Sequence, residues 1–145
     1  MKIAELKIGN WVNNRDNSFP IQIITIASSC IGEEHDCVSL DFQGKKGDCL
    51  CKDLKPIPFT EELFLKNNFT KQTFALNRKN NNSMYKLAKD TASIQVSYVA
   101  ESCVRVDIID EDNAITYSIP RQHIYVHELQ NLYSELTKKQ LELEL

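Results

Sequence analysis

The chain has 145 residues, 42% of them hydrophobic and 26% charged, with a formal net charge of −3. That length suits one domain with a sizeable core, and the composition is too apolar for a disordered chain. The mild negative charge argues against a protein that coats nucleic acid or an anionic membrane, and no stretch approaches the ~20 apolar residues of a membrane helix.

The N-terminal MKIAELKIGNW carries Lys2, Glu5 and Lys7 where a secretory leader needs an unbroken apolar run, so a cytoplasmic chain starting at Met1 is expected. The cysteines are odd in number, and Cys30, Cys37, Cys49 and Cys51 crowd into one short region. Reduced thiols fit this better than a disulfide framework.

Residues 1–58 read as short strands: KIGNWVN, PIQIITIAS, DCVSLDF and DCLCKDLKPIPF, separated by the turn-rich NNRDNSF, SCIGEEH and QGKKG. Ile21, Ile23, Ile24 and Ile26 make the second apolar on both faces, as in a central strand. Pro56 and Pro58 end this region. Thr60 is a candidate helix N-cap, Glu61 and Glu62 suit the first turn, and Asn67-Asn68 suits the end of a short helix.

A second β region follows. Runs holding Phe74, Leu76, Tyr85 and Leu87 flank the polar tip NRKNNNS. SIQVSYV, VRVDII and ITYSI then alternate apolar and polar residues and predict a meander. In HELQNLYSEL, Leu129, Leu132, Tyr133 and Leu136 form one helical stripe that should pack on the preceding sheet. The tail QLELEL is compatible with an edge strand or a helical extension.

The fold expected is α+β: an N-terminal small β-barrel-like half, a short helix, and a C-terminal antiparallel β-meander closed by an amphipathic helix. The chain reads as a single domain over 1–145, with 1–58 and 59–145 as candidate subdomains.

ELKIGNWV, DLKPIPFTEELFLKNNF and YVHELQNLYSELTKKQLEL occur in this order. Together they resemble a family of small uncharacterised proteins of gut Bacteroides-type bacteria, their phages and mobile elements. Members of that family read like RIGN-V, PIPLTEE-LLK-GF and VHQLQNLYFALTGEEL. Asn68 and Lys138 stand where that pattern has glycine, both at helix ends. The resemblance implies a bacterial or phage setting and carries no catalytic residues.

Cys30, His35, Cys37, Cys49 and Cys51 hold zinc-type donors, but their spacing is not that of paired zinc knuckles. Packing of buried thiols is the reading preferred, with no metal and no cofactor. His123, Tyr125 and His127, preceded by Arg121, would share a polar face if HIYVH were extended. No GxSxG, HExxH or HxE/CxxC pattern accompanies them, so nothing argues for an enzyme. Asp107, Asp110, Glu111 and Asp112 lack a calcium loop's alternation and read as a solvated turn.

Residues 66–89 contain six basic and no acidic residues, whereas 101–145 carry a net charge of −5. Lys71, Arg78, Lys79, Lys86 and Lys89 are therefore candidate anion-binding residues on a basic hairpin; solubilising an edge is the plainer alternative. The expectation is a non-enzymatic interaction module of phage or mobile-element origin acting on a host protein or complex. The alternative is a binder of nucleic acid or a nucleotide through the hairpin. A homo-oligomer is open, and no membrane partner is expected.

Overall fold

The computed structural model describes residues 1–14, 19–27, 37–42, 45–77, 80–89, 92–99, 103–110 and 113–145. The fold is mostly β, with two five-stranded sheets and a C-terminal helix. The chain divides into two units, Met1–Ile57 with Tyr125–Asn131, and Pro58–Ile124 with Leu132–Leu145.

In the first unit, β1 (Trp11–Asn14), β2 (Pro20–Ala27), β3 (Cys37–Phe42), β4 (Lys45–Leu50) and β5 (Leu54–Lys55) form an antiparallel sheet ordered β4-β3-β2-β1-β5. A 3₁₀ turn, Cys51–Asp53, leads into β5. Val12, Ile21, Ile23, Val38 and Leu40 fill the core with Leu6, Cys51 and Leu54. β2 has neighbours on both sides, but its register shifts between Ile23 and Thr25. The extra residue changes the phase of the strand. Ile26 then packs against the core, while Ile24 stays half-buried.

The expected strand KIGNWVN begins only at Trp11. Residues 7–10 form a turn closed by the Asn10 N–H on the Lys7 carbonyl at 3.1 Å. Gly9 supplies its positive φ of 92°, which a side chain would oppose. The Asn10 side chain accepts from the Lys7 N–H at 2.7 Å and so braces the same turn.

The opening turns of α2 (Val126–Thr137) belong to this unit. Gln130 Oε1 accepts the Trp11 N–H at 3.1 Å, and its Nε2 donates to the Gly9 carbonyl at 3.4 Å. Beside it Asn131 accepts from Asn10 Nδ2 at 3.0 Å and donates to the Glu5 carbonyl at 2.9 Å. The two amides do for the start of β1 what a neighbouring strand would do, satisfying backbone groups that burial would otherwise penalise. Leu129 is fully buried in this unit.

The second unit begins with α1 (Glu61–Lys66). Thr60 caps it by accepting from the Leu63 N–H at 3.3 Å. At its end the Phe69 N–H reaches the Phe64 carbonyl and the Asn68 N–H reaches that of Leu65, with Asn68 at φ 62°. This is the paired closure of a Schellman end. Its usual apolar contact is present as the Phe64 and Phe69 rings, 5.0 Å apart. Phe64 also stacks on Tyr85 at 4.3 Å and lies 4.2 Å from Phe59.

β6 (Thr70–Asn77), β7 (Asn80–Lys89), β8 (Ala92–Val99), β9 (Cys103–Asp110) and β10 (Asn113–Ile119) form the meander in chain order. The asparagine-rich stretch expected as a loop is largely strand, since Asn80 pairs Asn77 and Asn81 pairs Ala75. Ile94, Val96, Val104, Val106 and Ile108 are fully buried, as their alternation requires. Tyr133 is buried here too, while Leu132 and Leu136 are half-buried.

The tail adopts neither alternative left open by its sequence. It runs without regular pairing, Leu141 and Leu143 buried and Glu142 and Glu144 exposed. The Asn67 amide binds both backbone groups of Glu144, accepting its N–H at 2.8 Å and donating to its carbonyl at 2.9 Å. Lys138 begins the tail at φ 59°, its N–H on the Ser134 carbonyl.

Candidate functional site

The basic residues of 66–89 are not gathered. Lys71 pairs Tyr85 across the β6–β7 ladder, whereas Lys86 pairs Thr70, so the two side chains leave opposite faces. Lys71 Nζ lies 2.6 Å from Glu61 Oε1 and 6.0 Å from the centre of the Tyr85 ring. That hydrogen bond lowers the Glu61 carboxyl and raises the Lys71 ammonium; the Tyr85 hydroxyl, 3.0 Å from Glu61 Oε2, adds to the first effect. Lys66 donates to the Leu145 carbonyl at 2.9 Å. Lys86 is exposed. Arg78 and Lys79 lie outside the described residues, as does the side chain of Lys89.

The residues expected to form a face, Arg121, His123, Tyr125 and His127, fall in different units. Arg121 and His123 belong to the second, Tyr125 and His127 to the first. The helix starts at Val126, so the strand alternation stops there. His127 is buried, its ring parallel to that of Tyr125 at 6.0 Å, and His123 is exposed. The Tyr125 N–H donates to Glu128 at 3.1 Å, capping the helix from within.

Cys30 and His35 lie outside the described residues, as does the Cys37 side chain. Cys51 is part of the first core, and Cys49 Sγ faces the Asn14 amide oxygen at 3.9 Å. Among the described residues no three His, Cys, Asp or Glu side chains could hold a metal ion. A shallow cleft of about 450 Å³ lies in the second unit between Asn67, Leu87 and Glu144, where the tail is tied down.

A site the sequence reading missed lies on the outward face of the second sheet. Thr70, Lys86, Gln95, Asp107 and Thr116 stand opposite one another in one row. Asp107 is not in a turn; it sits mid-strand in β9 and is only 8% exposed, although it points away from the apolar face. Arg105 explains this. Its Nε lies 3.0 Å from both carboxylate oxygens and its Nη2 2.9 Å from Oδ1, while the Thr116 hydroxyl donates to Oδ1 at 2.7 Å. The hydrogen bond and charge of Asp107 raise the Arg105 guanidinium further, so it is permanently charged.

Arg105 thus projects from a fixed base with its side chain 53% exposed. Ile109, two residues beyond Asp107 and four beyond Arg105 on the same face, is 51% exposed. The signal was present in VRVDII. The alternation that sends Val104, Val106 and Ile108 inward sends Arg105, Asp107 and Ile109 outward together.

No protein-family model, curated protein or solved structure matches the chain.

Proposed function

We propose that the chain is a non-enzymatic interaction module, of phage or mobile-element origin, that binds a host protein or complex through the outward face of its second sheet. The observation that carries this reading is Arg105 locked on Asp107, with the exposed Ile109 further along the same outward face. A guanidinium held in one orientation loses little freedom on binding, and arginine next to an apolar contact is a frequent energetic centre of protein interfaces. A pleated sheet is also a rigid platform, which lowers the cost of recognition.

The finer architecture belongs to the same proposal. The strand order β4-β3-β2-β1-β5, with a 3₁₀ turn before β5, suits a barrel-like first half. The burial of Tyr133 suits a helix that closes the meander.

The test is affinity capture from host lysate with the native chain, Lys86→Glu/Ile109→Glu, and Lys52→Glu as an exposed control in the first unit. A specific partner should be retained by the native chain and the control and lost from the face variant. Equal retention by all three would refute the assignment of the face.

The alternative, a binder of nucleic acid or a nucleotide, draws support from Lys86 and Arg105 sharing that outward face. It predicts a gel shift whose affinity falls steeply with salt and is lost in Lys86→Glu.

A further inference from the structure

Sheet edges present unpaired N–H and C=O groups that can template another strand, and natural sheets protect them with lysine, proline, bulges or brevity. In the first sheet, edge strand β4 opens with exposed Lys45 and Lys46, and β5 is two residues long. In the second, β6 carries Lys71 and a register shift between Ala75 and Asn77. β10 has none of these devices. Its sequence NAITYSI holds no charge and no proline, and it pairs β9 without a shift from Asn113 to Ile119. Its burial pattern is that of an open edge, with Asn113, Ala114, Thr116, Tyr117 and Ser118 exposed.

We propose that β10 is a self-association edge, on which two copies of this chain pair antiparallel about a two-fold axis into one ten-stranded sheet. The sequence fits itself in this arrangement. With Thr116 on the axis, Ile115 faces the partner's Tyr117 and Ala114 faces the partner's Ser118. β-Branched against aromatic is a pair that stabilises antiparallel ladders, and the two-fold makes it twice. No charged side chains lie in the pairing at all. A second copy brings this matching with it in every molecule, so it is the occupant favoured. The three protected edges stop further addition, and the assembly closes as a dimer. This goes beyond the binding reading above and does not depend on it.

The test is sedimentation equilibrium of the full chain under reducing conditions, from roughly 10 μM to 1 mM, the range of small interfaces. Hydrogen exchange is measured on the same samples. A monomer–dimer equilibrium is expected, with exchange at residues 113–119 slowing as concentration rises. Ala114→Lys and, separately, Ser118→Lys are exposed changes that should weaken dimerisation by about tenfold or more while circular dichroism, and melting of dilute monomeric samples, stay unchanged. If neither variant folds, the exchange map of the native chain alone decides. A monomer throughout, species larger than a dimer, a dimer equally tight in the folded variants, or slowing that maps to β4 or β6 would each overturn the proposal.

Discussion

At the scale of single residues, two backbone positions stand out. Asn68 and Lys138 both have positive φ, which costs an L-residue with a β-carbon about 1–2 kcal/mol. Asparagine tolerates this region and lysine does not, so the strain is concentrated at Lys138. Lys138→Gly should raise stability by about 0.5–1 kcal/mol and Asn68→Gly by less, read as a higher urea midpoint at unchanged slope. Tyr98 gives a second handle. Burial, with the neighbouring Tyr85 second, pushes its phenol up to about 12, and its hydroxyl donates to the Phe59 carbonyl at 3.3 Å. Because the folded value is raised, the stabilisation is complete below the ordinary tyrosine value of about 10 and is lost as pH rises through the folded one. An ultraviolet titration should therefore show one phenol ionising last, near pH 12 or on unfolding. Tyr98→Phe should lack the alkaline loss between those values.

At the scale of elements, α1 is tied to the sheet through Glu61, which takes Lys71 from β6 and the Tyr85 hydroxyl from β7. The Glu61 carboxyl is depressed, so its contribution is present above the ordinary carboxylate value and disappears as pH falls through the depressed one. Glu61→Gln should be less stable than the native chain at neutral pH, and the difference should close below about pH 4. A native-to-variant gap that persists unchanged into acid would contradict this. The elements themselves were readable from local pattern: Thr60 and the Asn67-Asn68 pair mark both ends of α1, and apolar–polar alternation marks most of β8, β9 and β10. What local pattern could not show was pairing over distance. The start of KIGNWVN looks like strand until Gly9 adopts its turn. The tail looks like a strand or helix until Asn67 takes both backbone groups of Glu144. The Arg105–Asp107 pair is hidden for another reason: Asp107 stands close to the acids that follow it in sequence, although the strand's alternation separates their roles.

At the scale of the whole molecule, each unit is completed by chain from far along the sequence. Tyr125–Asn131 joins the first and Leu132–Leu145 the second. Contacts of such long separation slow folding, because much chain entropy is lost before they form. The Gly9-Asn10 and Gln130-Asn131 pairs are bonded to each other, and Phe59, Phe64 and Phe69 form one aromatic cluster. Those residues serve architecture, and the two surfaces proposed above for binding lie elsewhere in the fold. The Trp11 amide tests this most directly, because its bond to Gln130 spans 119 positions while the Gly9 carbonyl is also reached by Gln22. Hydrogen exchange in the native chain should show this amide protected, and in folded Gln130→Ala it should exchange at least about tenfold faster, the loss of one partly buried bond. Unchanged protection at Trp11 in a folded variant would contradict the account.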